Sequence, residues 1–194
     1  MITYDELYDV VKSEVSEKRF NHILGVVKRA IEYAQIYNAN IEDVKVAAIL
    51  HDIAKEYSEE KSYEILEKYG YNVDEVEKNN YNLIHSKVGS IIAKYEYGLS
   101  DDICNAIAFH TTGRSNMSML EKIIYLADAT EEGRNYKHSI NELTIEEVVA
   151  TVKEDIDKGL IYVLKWSLQS ILRRDLLMHM NTVEAYNFYL DKMN

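Results

Sequence analysis

Apolar residues recur along this chain at intervals of three and four. Phe20, Ile23, Leu24 and Val27 form one stripe, and Val46, Ile49, Leu50 and Ile53 form a second. Ile84, Val88, Ile91, Ile92 and Tyr95 form a third, and Ile103, Ala106, Ile107 and His110 a fourth. That spacing puts each set on one face of an α-helix. No sustained alternation with hairpin signals competes with it. Helix ends are legible as well. Asn40 stands before Glu42 and Asp43, and Ser58 before Glu59 and Glu60. Each pairs a capping side chain with acids in the first turn, where the helix dipole favours them. "SMLE" (118–121) and "TIEE" (144–147) fit the capping box, and Gly70 and Gly98 fall where left-handed C-terminal caps are expected. The pattern predicts about seven to ten helices, including a long helical region over 144–178, with a loop at 111–117. There is no internal repeat and no linker, so 1–194 reads as a single domain.

Composition sharpens this to an all-α fold. Proline is absent and only 7 of 194 residues are glycine, where average usage is about 5% and 7%. Both helix breakers are scarce. The 33 acidic residues outweigh 22 basic ones, for a net charge of −11. This sign argues against a nucleic-acid polymer as partner and leaves room for a small anion if cations gather in one cleft. The lone Cys104 excludes an internal disulfide, which suits a reducing cytoplasm. The start "MITYDELYDV" carries acids where a leader needs a basic flank and an apolar stretch. No window approaches the roughly 20 apolar residues of a membrane span, so no membrane partner is expected. Apolar surface from sixteen tyrosines is compatible with a homodimer, although tyrosines also fill helical cores.

Against that background, "AAILHDIAKEY" (47–57) is unusual, because His51, Asp52 and Lys55 interrupt an apolar run. Four further residues of ligand type lie in apolar helical segments: His22, His85, His110 and Asp128. Taken singly, each histidine suits a hydrogen-bonded core position, and Asp128 a surface carboxylate. Together they are harder to explain, because a buried carboxylate is costly unless paired or metal-bound. Six such residues on five helices call for one shared partner, and a divalent cation is the simplest. Imidazole plus carboxylate without thiolate suits Fe(II), Mn(II), Co(II) or Zn(II). Adjacent His51 and Asp52 lie about 100° apart around a helix, which leaves coordination positions for other helices and for water. One or two ions are expected: Asp52, with two oxygens, could bridge two, and His85 and His110 would then serve the second.

Cations accompany the ligands. Lys55 lies one turn after Asp52, and Arg19 one turn before His22, so each is either a solvated rim residue or a source of positive charge for an anionic substrate. "HTTGR" ends a helix with Thr111, Thr112, Gly113 and Arg114, a candidate phosphate loop, and "EEGR" sets Arg134 beyond Asp128 as a candidate phosphate clamp. Cys104 reads as core packing, and His138 as exposed. His179 has no ligand spacing, but could flank a base or ribose.

The order His22, His51-Asp52, Asp128 resembles the signature of the HD-domain metal-dependent phosphohydrolases. A narrower resemblance, to the YqeK family, covers most of the chain. It rests on "RFNHILGV", "AAILHDIAKEYS", "LIHSKVGS", "AIAFHTTGR", "MSMLEKIIYLADATEEGR" and "MHMNTVEAYN". The resemblance implies an HD-domain helical bundle with additional C-terminal helices. It also implies a symmetrical diadenosine tetraphosphate hydrolase with an iron-containing site. Metal ligation would fall to His22, His51, Asp52 and Asp128, with His85 and His110 beside the substrate phosphates or a second ion. Nucleotide contacts would come from Arg19, Lys55, Tyr57, Thr111, Arg134 and the segment 178–183, including Asn181 and Thr182. The family usually has proline before the glycine of "EEGR" and another in the terminal motif; Glu132 and Met180 stand there in this chain.

The expected chemistry is hydrolysis of a phosphoanhydride to two ADP by a metal-activated water. Asp52 would hold the metal and orient or deprotonate the water, while Lys55, His85, His110 and Arg134 offset charge on the phosphates. Two alternatives use the same residues. One is a nucleoside monophosphate phosphatase or cyclic-nucleotide phosphodiesterase; the other is a nucleotide-sensing module without turnover.

Overall fold

The computed structural model describes residues 2–134 and 143–193. Among these, eleven α-helices follow one another without a strand: α1 (Tyr4–Glu14), α2 (Glu17–Tyr37), α3 (Ile41–Leu50), α4 (Glu59–Lys68), α5 (Glu75–Asn79), α6 (Ile84–Tyr95), α7 (Asp101–Phe109), α8 (Met119–Thr130), α9 (Ile145–Glu154), α10 (Ile156–Arg173) and α11 (Met180–Lys192). A 3₁₀ turn, Tyr81–Leu83, leads into α6. The central helices are α2, α3, α7 and α8: α2 packs on α3 and α8, and α7 on α6, α3 and α8. α10 packs against α9, α11 and α8 and so attaches the C-terminal helices to that centre.

The capping signals act as expected. Asn40 Oδ1 accepts from the amides of Glu42 and Asp43, and Ser58 caps α4. Ser118–Glu121 and Thr144–Glu147 form full capping boxes. Gly70 and Gly98 have φ of 71° and 63°, which glycine adopts without strain.

Three details differ from the sequence reading. There are more helices than the predicted seven to ten. The five-residue α5 is too short to show a hydrophobic period, and the region 144–178 is two helices. Asp155, at φ −151° and ψ 107°, ends α9 and caps α10 through Oδ1. The two helices then fold together where a Cβ on Gly159 would strike Val152. Second, α3 stops at Leu50. His51, Asp52 and Lys55 follow it on tight turns, with Ile53 N–H bonded to Leu50 C=O and Lys55 N–H to Asp52 C=O. His110 likewise lies just past the end of α7. Third, Tyr95 of the third stripe is exposed and stacks on Tyr69 with ring centroids 4.5 Å apart. His138 lies outside the described residues.

No helix among the described residues is long and apolar enough to cross a membrane. Cys104 is a buried free thiol.

Candidate metal centre and nucleotide cavity

Five elements of the bundle aim their polar side chains at one point. His22 comes from α2, His51 and Asp52 from the turn after α3, His85 from the start of α6, His110 from the end of α7 and Asp128 from α8. His51, Asp52, His85 and His110 are buried, and His22 nearly so.

The four imidazoles are held in the same way. His51 Nδ1–H donates to Ala48 C=O at 2.7 Å, His85 Nδ1–H to Asn82 C=O at 2.6 Å, and His110 Nδ1–H to Ile107 C=O at 2.7 Å. In each case the acceptor is three residues earlier, in the same turn. His22 Nδ1–H donates instead to Glu131 Oε1 at 3.1 Å. An imidazole that donates from Nδ1 presents the lone pair of Nε2, which is how metal-ligating histidines are oriented.

All four Nε2 atoms lie near carboxylates, and those of His22 and His51 have no donor beside them. His22 Nε2 lies 3.1 Å from Asp128 Oδ1 and 3.6 Å from Asp52 Oδ2. His51 Nε2 lies 3.6 Å from Asp52 Oδ2 and 3.9 Å from Asp128 Oδ1. His85 Nε2 is 3.0 Å from Asp52 Oδ1 and 3.1 Å from His110 Nε2. His22 Nε2 and His51 Nε2 are buried with no hydrogen-bond partner. An orphaned buried polar atom is costly, and here acceptors meet acceptors. A divalent cation would satisfy both nitrogens and both carboxylates at once. Two overlapping donor sets satisfy metal-ligand spacing, His22–His51–Asp128 and His51–Asp52–His110, so the residues fit one or two divalent ions.

Electrostatics agree. Burial lowers His51 and His85 to about 4, so both are neutral at pH 7. Burial would also lower His22, but the carboxylates of Asp128 and Glu131 outweigh it and raise its pKa; a proton or a metal ion is favoured there. Burial opposes ionisation of Asp52, yet the surrounding histidines hold it well below the usual carboxylate range. Burial opposes ionisation of Asp128 too, and Arg134 with His22 overcomes it. The Arg134 guanidinium contacts Asp128 Oδ1, and Arg19 Nη1 donates to Asp52 Oδ2 at 2.8 Å while its buried Nε has no partner. Lys55 Nζ stands 3.4 Å from His85, and burial lowers its pKa.

The cluster opens on a cavity of about 430 Å³. Lys55, His110, Thr111, Asp128 and Arg134 form its charged end, and Thr111 Oγ1 lies 3.3 Å from His110 Nε2. α10 and the segment before α11 form the other end, with Thr182 and His179 in its wall. His179 caps α11 by accepting the Asn181 N–H and pairs with Asp74 at 3.1 Å. Asn181 faces a second cavity of about 420 Å³, on the far side of His179. Tyr57 does not line the first cavity; its hydroxyl donates to Glu14 at 3.0 Å.

Two residues read differently from the sequence alone. Arg114, a candidate phosphate contact, forks onto Glu121 through Nε (2.6 Å) and Nη2 (3.1 Å). It buttresses the capping box of α8, because the nearly buried Glu121 carboxylate needs a counter-charge. Glu131, which sequence reasoning passed over, is 3% exposed and orients His22. The only hint in "LADATEEGR" is an acid three residues after Asp128, and Glu131 stands just past α8 as its extended C-cap. The two missing prolines have simple local consequences. Met180 is the first residue of α11, where proline is favoured but dispensable, and Glu132 pairs with Lys28 at 2.9 Å.

A helical bundle with inward-facing histidines and carboxylates defines a divalent-metal-binding domain. Residues 19–133 match the HD domain, and the chain belongs to the HD domain family. It is 30% identical over 93% of its length to the symmetrical bis(5'-nucleosyl)-tetraphosphatase of Staphylococcus aureus, covering 91% of that protein. It is 31% identical to the enzyme of the same name from Bacillus subtilis, over 95% of this chain and 96% of the relative. A crystal structure from Clostridium acetobutylicum, described as a "predicted HD superfamily hydrolase involved in NAD metabolism", superimposes with a TM-score of 0.91. That protein is 37% identical, with 99% of each chain covered.

Proposed function

We propose that the protein, as a single HD-type unit over 1–194, hydrolyses diadenosine tetraphosphate symmetrically to two ADP. The observation that carries this is the convergence of unpartnered His22 and His51 Nε2 atoms with Asp52 and Asp128 at the charged end of a cavity that also presents Lys55 and Arg134. The relatives named above supply the substrate.

His22, His51, Asp52 and Asp128 would hold the ion, iron in this reading, and His85 with His110 a second ion or the substrate phosphates. A divalent cation held there supplies Lewis-acid polarisation and a water of lowered pKa. The protein's own groups do the rest. Ionised Asp52 would orient the attacking water or take its proton. Lys55, Arg134 and Thr111 face the phosphates, where fixed donors stabilise charge that grows as the central P–O bond breaks. Water adds to one inner phosphorus, and the bridging oxygen leaves with the other ADP. Arg19 does not line the cavity and acts by holding Asp52 in place; Thr182 belongs to the wall that receives the nucleoside, while its neighbour Asn181 faces the second cavity. Tyr57 contributes from outside the cavity by bracing the turn that carries Lys55. The proposed setting is the cytoplasm, and a homodimer would use the exposed Leu172, Leu177 and Met180.

The test is anaerobic incubation of Fe(II)-, Mn(II)- or Co(II)-loaded protein with diadenosine tetraphosphate, with products resolved by chromatography. ADP alone is the expected product. AMP plus ATP would move the attacked phosphate, and no turnover with any ion would leave monophosphates, cyclic nucleotides and the sensor reading.

A further inference from the structure

The end of the cavity away from the metal centre has its own chemistry. Val163, Trp166, Ser167, Ser170 and Ile171 line it together with Arg174 just past α10, and the spacing of three and four puts the first five on one face of α10. In the first half of that helix the face is packed: Ile156, Leu160, Val163 and Leu164 are buried. In the second half the same face looks into the cavity, and Trp166, Ser167, Ser170 and Ile171 are only half-buried. A large aromatic surface left partly open to water is stabilised when a flat apolar ligand covers it.

The link to the metal centre is short. Tyr125 lies three residues before Asp128 on α8, so both project from one side of the helix about 5 Å apart. The Tyr125 hydroxyl meets Ser167 Oγ at 3.4 Å, and Ser167 adjoins Trp166. The floor therefore runs from Asp128 through Tyr125 and Ser167 to the neighbouring Trp166.

We infer that Trp166 is a nucleobase platform, with one base of the substrate stacking on the indole while its phosphates extend to Lys55 and Arg134. This inference rests on the nucleotide-hydrolase reading and adds a specificity-determining residue to it. Stacking recognises a π-face rather than a hydrogen-bond pattern, so the platform sets affinity for the base end and leaves the chemical step alone.

Trp166 is the chain's single tryptophan, so the unaltered holoenzyme reports on it directly. Titration with ADP and with adenosine should change tryptophan emission saturably. Trp166→Ala should raise KM for diadenosine tetraphosphate about 5- to 100-fold with kcat within about twofold, whereas Trp166→Phe should restore most of the affinity. Inhibition by tripolyphosphate, which has no base, should be the same in all three proteins. The platform is overturned if ADP binds by calorimetry without altering emission, or if folded Trp166→Ala keeps the original KM. Adenosine-dependent emission in a protein that never cleaves the substrate would uphold the platform and remove only the hydrolase reading. Should Trp166→Ala fail to fold, the emission titration and Trp166→Phe still decide.

Discussion

The carboxylate of Glu131 occupies the space into which a side chain on Gly25 would project, and from there it reaches His22 Nδ1 at 3.1 Å. Gly25 lies one turn after His22 on α2. Glycine inside a helix costs about 1 kcal/mol relative to alanine, and here that cost leaves room for the carboxylate that orients His22. Gly133 serves the same carboxylate, donating its N–H to Glu131 Oε2 at 2.6 Å.

Gly25→Ala should therefore weaken metal binding despite its better helix propensity. The methyl group displaces Glu131 and releases His22, and losing such an outer partner typically costs about 10- to 100-fold in affinity. Glu131→Gln, which keeps an acceptor oxygen, should cost less than Glu131→Ala. Competition with a fluorescent chelator measures all three, and undiminished affinity in Gly25→Ala would show that Glu131 does not orient the ligand.

Asp52→Asn should abolish turnover while leaving the fold intact. It removes the charge that faces Arg19 and all four histidines at nearly constant volume. A loss of kcat of roughly 10³-fold or more is expected, with an unchanged circular-dichroism spectrum. An active variant would contradict the assigned site.

Metal should stabilise the protein through the His22 and His51 nitrogens that have no partner. At 100 times its Kd, an ion that binds only the folded chain adds about 2.7 kcal/mol, which is about 5–10 °C in Tm for a domain of this size. Scanning calorimetry with Mn(II) and with chelator gives the shift, and His51→Ala should erase it.

Acid should destabilise the metal-free protein before its carboxylates titrate. His51 and His85 sit at about 4 when folded against about 6.5 when unfolded. Between those values the unfolded chain binds more protons, so stability falls as pH drops from about 6.5 to 4. Each shift corresponds to roughly 3 kcal/mol, and coupling between neighbours reduces the total. His22 works in the opposite sense: its raised pKa adds stability at low pH that is lost as pH rises past it. A net fall in Tm on the order of 10 °C between pH 6.5 and 4.5 is expected in chelator; a flat profile would mean the histidines stay protonated in the fold.

Arg114→Ala should lower Tm by a few degrees and leave kcat/KM unchanged, because the guanidinium holds Glu121 rather than a phosphate. A selective loss of activity with normal stability would return Arg114 to the site.

Much of this protein could be read from local pattern, because local physics determines it. Helix caps need only a side chain and the amides two or three residues on, so Asn40, Ser58, Ser118 and Thr144 announce themselves. The set His22, His51, Asp52, His85, His110 and Asp128 also stands out, since each is a costly residue in an apolar segment. What local pattern does not contain is the partner across the fold. Glu131 and Arg114 both look like surface charges in sequence, and packing turns one toward His22 and the other onto Glu121. The division of 144–178 at Asp155 depends on α9 folding back against Gly159. The apolar stripe of α10 reads as core throughout, yet only the tertiary structure leaves its second half facing a cavity. The sequence determines which side chains seek burial or a counter-charge; chain topology decides which of them meet.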